Sequence, residues 1–335
     1  MQDWGTRIDA LCRCRCAFAL YRLPHGQVCF CMAADGRTEA AGNGFRLCTF
    51  EGQRCVIPDE CPEPPTDTAF EPLPATQPVC PATARGEYAA LFRRCQAALA
   101  AGRLQKVVLA RTADVPKPPD FSPYAAFLAA AAQRADSFAA LIHTPAFGTW
   151  LLNTPESLLQ TAGNKGRTMA LAGTRPCSPA PWDAKNRAEQ ALVAAHIRSI
   201  LTRHATAVQE SPVTTLPCGA IEHLCTVFRF QLNAEATAAL LTELPPTPAV
   251  SGYPVAAARH FLQELRDIPR SLYSGYAGMQ QAEGCALFVS LRCMQVYDTV
   301  CRLYAGGGIM PDSDEEAEWR ETESKMAAMR AVLTP

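Results

Sequence analysis

Hydrophobic and polar positions follow two different periods along this chain, and each period predicts its own kind of element. Apolar residues recur every three or four positions in several stretches, which predicts helices near 86–101, 123–133 and 184–204, one ending near 265 and one beginning near 314. Alternating or short continuous apolar runs predict strands near 104–111, 138–143, 147–152, 272–278, 286–294 and 300–305. Helices and strands are thus predicted to mix along most of the chain.

The N-terminal part of the chain shows alternation without helical periodicity. Residues 7–57 carry turn signals at regular intervals, which predicts a meander of short antiparallel strands. Cys12, Cys14 and Cys16 would lie on one face of such a strand, because their spacing lacks the paired C-x-x-C of a structural zinc site. Prolines recur through residues 58–81, which predicts an extended surface connection.

Composition limits the classes of function. With 335 residues, of which 48% are hydrophobic, the chain can bury a large core as one big domain or two ordinary ones. A formal net charge of -1 gives no global attraction to nucleic acid or to an anionic membrane. We find no signal-peptide pattern and no membrane-length apolar run, so the sixteen cysteines are expected to be reduced thiols in the cytoplasm. A small-molecule enzyme fits this balance best.

Four charged or titratable residues interrupt apolar surroundings. Lys106 lies within the strand 104–111, where it is either buried or a charge that protects a sheet edge. Glu156 stands between two predicted strands, a place where a glutamate is ordinarily a surface turn acid. Arg292 lies in an apolar run, and a buried arginine requires a carboxylate or an anionic ligand as its partner. His223 would ordinarily be a structural histidine.

The segment 303–325 joins a short strand to an acidic helix. The glycines at 306–308 would allow backbone conformations and a close ligand approach that other residues resist. Ser313 or Asp314 is predicted to cap the helix that follows.

Acidic residues on two predicted helices offer a metal-binding pattern. Glu318, Glu321 and Lys325 share one helix face, which is either an ordinary solvated charge ladder or an inward-facing group. Glu189 heads the apolar stripe of the helix 184–204. Two inward-facing glutamates on separate helices would suit a hard cation such as Mg²⁺.

Seven motifs, in this order, resemble those of the chorismate-utilising enzymes. They are KVVLAR at 106–111, TPE at 154–156, ALAGTRP at 170–176, RAE at 187–189, PTPAVSG at 246–252, LYAGGGI at 303–309 and EWRETESK at 318–325. Within that family the chain looks like an isochorismate synthase of the menaquinone or catecholate-siderophore type.

The resemblance implies an α/β (α+β) fold with central antiparallel sheets packed together and helices on the outside. Residues 1–335 would form a single chorismate-binding domain, with the N-terminal strand meander at 1–57, the proline-rich connection at 58–81 and the catalytic region at 86–333. It also implies chorismate as substrate and Mg²⁺ as cofactor. Relatives of this type are often monomeric, so a monomer is expected.

The same resemblance implies roles for individual residues. Lys106 matches the general base that deprotonates water for attack at C2, and Glu156 matches the general acid that protonates the departing C4 hydroxyl. Glu189 and Glu321 match Mg²⁺ ligands, and Glu318 matches an acid beside the metal. The positions that match groups around the substrate are Gly173, Thr174, His223, Ala249, Tyr273, Arg292, Gly308 and Lys325.

The implied chemistry sets a condition on the acid and the base. Lys106 must be neutral to accept a proton, and Glu156 must be protonated to donate one. Burial in an apolar environment favours the uncharged form of both groups.

A few positions bear on the branch of the family. Ammonia-using relatives carry lysine where this chain has Ala172, and relatives that use ammonia or form salicylate tend to have threonine at the position of Ala249. Both residues here favour water as the nucleophile. The chain departs from the family pattern at Pro245, Asn186 and Gln190.

Three alternatives remain open from the sequence. A salicylate synthase would go on to eliminate pyruvate from isochorismate. A non-catalytic relative would bind chorismate without turnover, and Pro245 is the departure that motivates this alternative. A thiol–metal protein would use the cysteines and would contain stoichiometric zinc.

Overall fold

The computed structural model describes residues 4–66, 70–232 and 235–333. Within these ranges, two antiparallel sheets pack against each other and helices cover their outer faces. The helices are α1 (Trp4–Leu11), α2 (Arg85–Ala100), α3 (Pro123–Gln133), α4 (Ala184–His204), α5 (Ala236–Glu243), α6 (Val255–Leu265) and α7 (Glu315–Arg330).

The first sheet has eight strands. In spatial order they are β13 (Gly252–Tyr253), β5 (Lys106–Pro116), β17 (Val300–Ile309), β16 (Cys293–Val296), β7 (Gly148–Thr154), β6 (Phe138–Thr144), β1 (Phe18–Arg22) and β2 (Val28–Met32).

The second sheet has nine strands. Eight of them follow the order β10 (Thr206–Glu210), β12 (Ile221–Gln231), β9 (Lys165–Pro176), β8 (Ser157–Ala162), β15 (Gly284–Val289), β14 (Tyr276–Gln281), β3 (Gly44–Cys48) and β4 (Arg54–Ile57), and β11 (Thr214–Cys218) also pairs with β12.

Most strands of the two sheets are buried on both faces. In β6, Ala140 and Ile142 face the core between the sheets, whereas Ala139 and Leu141 face the helices on the other side. Two-sided burial explains why this strand appears in the sequence as a continuous apolar run. The predicted α/β (α+β) class, with central antiparallel sheets and outer helices, is confirmed.

Capping residues set several helix boundaries as the sequence predicted. Ser122 Oγ accepts from Ala125 N at the start of α3, and Asp314 Oδ1 accepts from Ala317 N at the start of α7. Asp183 caps α4 in the same way. Of the two candidates for the α7 cap, Asp314 is therefore the one used.

Two predictions for residues 7–57 are wrong. The described residues begin with the helix α1, which buries Ile8 and Leu11, and the first strand among them starts only at Phe18. Cys14 and Cys16 follow the helix in a turn, where their thiols donate to the carbonyls of Ala10 and Leu11. These two carbonyls also accept backbone N–H groups, of Arg13 and Cys14, so the thiols add a second donor to each at the helix end. The strands also form no single meander, because β1 and β2 join the first sheet while β3 and β4 join the second.

Two predicted C-terminal strands also differ from the structure. The strand at 272–278 begins only at Tyr276, because the residues before it form turns. The run 286–294 is interrupted between Val289 and Cys293, where the chain passes from β15 in the second sheet to β16 in the first. The break contains Ser290 and Arg292, but apolar residues flank and separate them and continue the run, so periodicity missed it.

The proline-rich stretch lies along the surface. Glu71 O accepts from Arg15 N at 2.6 Å, and Arg13 O accepts from Leu73 N at 2.7 Å. No helix in the ranges that the structure describes is long and apolar enough to cross a membrane.

Candidate active site

A cavity lies where the chain twice crosses between the sheets. Pro155 and Glu156 form the crossing from β7 to β8, and Leu291 and Arg292 lie in the crossing from β15 to β16. Backbone hydrogen bonds join the two crossings: Val289 N donates to Glu156 O at 3.0 Å, and Asn153 N donates to Arg292 O at 3.1 Å. Both sheets therefore hold this end of the cavity.

Ten of the thirteen predicted site residues line this cavity. They are Glu156, Gly173, Thr174, Glu189, His223, Ala249, Tyr273, Arg292, Gly308 and Lys325. Lys106 and Glu321 lie just behind the wall, where Lys106 contacts Glu189 and Glu321 contacts Lys325. A larger hollow of about 560 Å³ lies between α2 and α6 and contains none of the predicted residues.

Lys106 is fully buried, with a relative exposure of 0%. Its strand is covered by β13 and β17, so the alternative of an exposed edge charge is excluded. Nζ lies 2.8 Å from Glu189 Oε1, and it has no well-aligned hydrogen-bond acceptor among the described residues. Lys106 is thus held by a charge contact, in addition to the apolar strand that the sequence predicted.

Glu156 is a buried acid, with a relative exposure of 3%, and not a surface turn residue. Burial raises the pKa of its carboxyl from 4.5 to about 8, although the positive charges of Lys106 and Lys325 oppose the rise. At neutral pH this carboxyl therefore keeps its proton and is able to donate it.

Each of the three predicted metal-binding glutamates has its own lysine. Lys106 pairs with Glu189, Lys325 Nζ lies 2.7 Å from Glu321 Oε1, and Lys185 pairs with Glu318. Glu318 is 1% exposed, so the alternative of a wholly solvated charge ladder is excluded. Within the described residues the carboxylates are not drawn together as a cluster of metal ligands.

The surroundings shift the pKa of Glu189 and that of Glu318 in opposite directions. Burial alone would raise the pKa of Glu189, but the nearby lysines, chiefly Lys106, outweigh it and the pKa is lowered. For Glu318, burial and the neighbouring charge of Glu321 raise the pKa despite Lys185. Glu318 Oε2 is buried and has no hydrogen-bond partner among the described residues.

The three successive glycines lie inside β17 and not in a loop after it. Each pairs with β5, and none has a left-handed backbone, so their conformational freedom is not used. A Cβ on Gly308 would lie 2.3 Å from Glu189 Oε1, and a Cβ on Gly307 would lie 2.6 Å from Glu318 Oε2. The glycines therefore leave the space in front of the carboxylates free.

His223 connects Arg292 to the opposite wall. Arg292 donates to His223 Nε2 at 2.8 Å, and since a guanidinium only donates, the ring hydrogen lies on Nδ1. Nδ1 lies 3.1 Å from both Gly173 O and Thr174 Oγ1. Burial, with the charges of Arg292 and Lys325, holds the pKa of His223 well below its usual value.

The departures from the family pattern are accommodated in the structure. Asn186 accepts from Thr174 N at 3.0 Å and donates to Asp183, so it fixes the strand end that carries Thr174. Gln190 donates to Thr226 Oγ1 at 2.9 Å. Neither residue reaches into the cavity.

Sequence reasoning missed two residues near the cavity. Tyr304 lines it, and a signal was present because Tyr304 shares a strand face with Gly306 and Gly308. Lys185 lies one helical turn before Glu189, a spacing that places both on one face of α4.

Comparisons with known proteins define the class. A model of the chorismate binding enzyme family matches residues 46–331, so the chain belongs to this family.

Two curated relatives are isochorismate synthases. The chain is 34% identical to isochorismate synthase MenF of Escherichia coli (strain K12) over 252 residues, which cover 70% of this chain and 57% of that protein. It is 30% identical to isochorismate synthase EntC of the same strain over 259 residues, covering 72% of this chain and 66% of that protein. The chain thus matches less than two thirds of the length of either relative.

Solved structures share the fold. The menaquinone-specific isochorismate synthase MenF from Escherichia coli superposes with a TM-score of 0.81 at 23% identity, covering 97% of this chain and 90% of that one. Anthranilate synthase component I from Streptococcus pneumoniae gives a TM-score of 0.69 at 17% identity, covering 93% and 89%. The same architecture therefore occurs in members of different activity.

Proposed function

We propose that this chain is an isochorismate synthase. It would convert chorismate to isochorismate by Mg²⁺-dependent addition of water at C2 with loss of the C4 hydroxyl, in menaquinone biosynthesis. The observation that carries the proposal is a buried Glu156 that lines the cavity, with its pKa raised to about 8, and a buried Lys106 just behind the cavity wall. Family membership and the two isochorismate synthases among the relatives support the same substrate.

The proposed reaction divides its proton transfers between two residues. Lys106, once it has left its contact with Glu189 and released its own proton, would take a proton from water as the water oxygen bonds to C2, the ring double bonds shift and the C4–O bond breaks. Glu156 gives its proton to the departing hydroxyl, which leaves as water. One water enters and one leaves, so no covalent enzyme intermediate is required.

Arg292 and Lys325 are proposed to bind the substrate carboxylates. Arg292 donates to neutral His223 and lies within hydrogen-bond reach of the Cys218 side chain, but it forms no ion pair with a carboxylate of the described residues. Its remaining N–H groups are therefore proposed to bind an anion. Tyr273 and Ala249 complete the wall on either side.

The carboxylates of the cavity fit Mg²⁺. Glu318 Oε2 is buried without a partner, and the glycines leave room in front of Glu189 and Glu318. Glu189 and Glu321 would hold the ion, with Glu318 beside it, once the lysines give up their contacts with these carboxylates. Bound there, Mg²⁺ would neutralise a substrate carboxylate and fix the ring.

A single assay tests the proposed function. Purified protein is incubated with chorismate in ¹⁸O-labelled water, with and without Mg²⁺, and the products are separated by chromatography. We expect isochorismate that carries ¹⁸O at C2, formed only with Mg²⁺. Salicylate with pyruvate would establish a salicylate synthase instead, and binding without turnover would contradict an enzyme. A cytoplasmic monomer stays a prediction, which sedimentation and cell fractionation would check.

A further inference from the structure

Arg111 lies on the strand that carries Lys106 but points to the opposite side. Side chains alternate along β5, so Lys106 shares a face with Val108, which lines the cavity, whereas Arg111 shares a face with Leu109. Arg111 is 1% exposed, although it carries a full charge. A buried guanidinium requires partners, and these lie on α7.

Arg111 holds one turn of α7 through three contacts. Its Nε donates to Thr322 Oγ1 at 2.6 Å, and its terminal nitrogen pairs with Glu323. The guanidinium also stacks on Trp319, with Cζ 3.7 Å from the ring centroid. Thr322 Oγ1 donates in turn to Trp319 O at 2.6 Å, so donor, hydroxyl and helix backbone form one connected unit.

The turn that Arg111 holds is the one that carries the carboxylates. Trp319 directly follows Glu318, and Thr322 directly follows Glu321. Successive residues of a helix are separated by about 100° and 1.5 Å, so the setting of Trp319 and Thr322 fixes where Glu318 and Glu321 point. Arg85 forms ion pairs with Glu315 and Glu316 at the start of the helix, and its guanidinium lies 5.0 Å from the centroid of the same Trp319 ring. Arg111 lies closer to that ring and also bonds Thr322 and Glu323, which follow it along the helix.

We propose that Arg111 is a positioning residue: it sets α7 against β5 so that Glu318 and Glu321 face Glu189 and the base Lys106. The inference rests on the proposed function, because it gives these carboxylates their use. Lysine could keep the charge but not the planar stacking and the forked donation, so the role is specific to arginine.

The chain offers a matched control in Arg302. It is 2% exposed and lies on β17, where its guanidinium forms a forked ion pair with Asp114 of β5 at 2.7 and 2.8 Å. It therefore joins β17 to the strand that carries Arg111, and its hydrogen bonds go to Asp114 and Cys80, neither of which lies on α7. Arg302→Lys measures what a buried forked arginine contributes to stability alone.

The test measures Mg²⁺ binding to the full chain by calorimetry without substrate, together with Tm and the Mg²⁺ dependence of turnover. We expect Arg111→Lys to weaken Mg²⁺ binding at least tenfold, whereas Arg302→Lys stays within twofold of the wild type even where its Tm falls. Thr322→Val should weaken binding about threefold, and the double variant Arg111→Lys/Thr322→Val should bind no worse than Arg111→Lys, because both changes break one unit.

Equal Mg²⁺ binding by wild type and Arg111→Lys would overturn the positioning role, as would equal weakening by Arg302→Lys. If Arg111→Lys does not fold, Mg²⁺ binding by Thr322→Val is the test, and binding equal to that of the wild type would overturn the positioning role. A wild type that neither binds Mg²⁺ nor converts chorismate would overturn the proposed function, and this inference with it.

Discussion

At the scale of single residues, Glu156 has the clearest physical signature. Burial raises its pKa from 4.5 to about 8, so the folded protein keeps a proton that the unfolded chain loses between these pH values. The folded state thus binds more protons there, and the free energy of unfolding falls as pH rises through this window. The same ionisation removes the general acid, so activity should decline above about pH 8.

The variant Glu156→Gln tests both the effect of Glu156 on stability and its role as the general acid. We expect kcat to fall by roughly 10²- to 10⁴-fold, since the amide cannot donate an acid proton, while chorismate still binds. The pH-dependent loss of stability between pH 4.5 and 8 should become smaller. Denaturant unfolding at several pH values and a pH–rate profile check both. An unchanged alkaline limb in the variant would contradict the assignment.

Lys106→Met tests the base. The variant keeps an apolar side chain in a fully buried position, so we expect the fold to persist and kcat to fall by about 10²-fold or more. Lys165→Met, at an exposed hairpin position, serves as the control and should retain full activity. A Lys106→Met enzyme with near-normal kcat would remove Lys106 from the chemistry.

Some residues could be found from the sequence because they are charged within apolar runs. Lys106 and Arg292 share this property, and both lie at the cavity. Glu156 stands between a proline and a serine, so only the family resemblance pointed to it. Lys185 could not be found in the same way, because a lysine in the first turns of a helix is ordinarily exposed. Its role depends on Glu318, a residue 133 positions away.

At the scale of elements, the successive glycines of β17 lie opposite carboxylates of the helices α4 and α7. Gly308→Ala would bring a Cβ to 2.3 Å from Glu189 Oε1 and 2.9 Å from Lys106 Cε. We expect kcat/KM to fall by roughly tenfold or more, with little loss of Tm, because an extended backbone accepts alanine. Gly86→Ala, where the space is open, is the matched control. Equal kinetics for both variants would contradict the space-keeping role of Gly308.

The helices α1 and α5 were not predicted, but the boundaries of the five predicted helices were more accurate than those of the strands, for a physical reason. The start of α4, for example, is determined by a local cap: the Asp183 side chain accepts from Asn186 N, so no residue distant in the sequence is needed. A strand boundary depends on which sheet receives the next residues, and that is decided by contacts far along the chain. The breaks before Tyr276 and after Val289 are of this second kind.

At the scale of the whole molecule, the three carboxylates proposed to hold the metal are paired before any ligand arrives. Three carboxylates face three ammonium groups, so the protein needs no cation to hold these side chains together. Removing divalent ions with EDTA should therefore abolish turnover but leave the circular dichroism spectrum and Tm nearly unchanged. Restoration by Mg²⁺ completes the test, and unfolding by EDTA would show that the ion is structural.

The overall class could be predicted from the sequence, whereas the distribution of the N-terminal strands could not. Helical and strand periods alternate strongly enough to predict a mixed fold, and the resemblance to the chorismate-utilising enzymes implies central sheets with helices outside. The assignment of β1 and β2 to one sheet and of β3 and β4 to the other leaves no local trace, because both pairs bury similar apolar residues.

The backbone bonds between the two sheet crossings have a mechanical consequence. Glu156 and Arg292 are anchored on both sheets through Val289 and Asn153, so the sheets cannot part at this end without breaking paired amides. Breathing motions that admit a ligand must therefore come from the helix side, where α4 and α7 meet through ion pairs of side chains. Amide hydrogen exchange should accordingly be slowest at Asn153 and Val289, and a ligand should slow it most in α7.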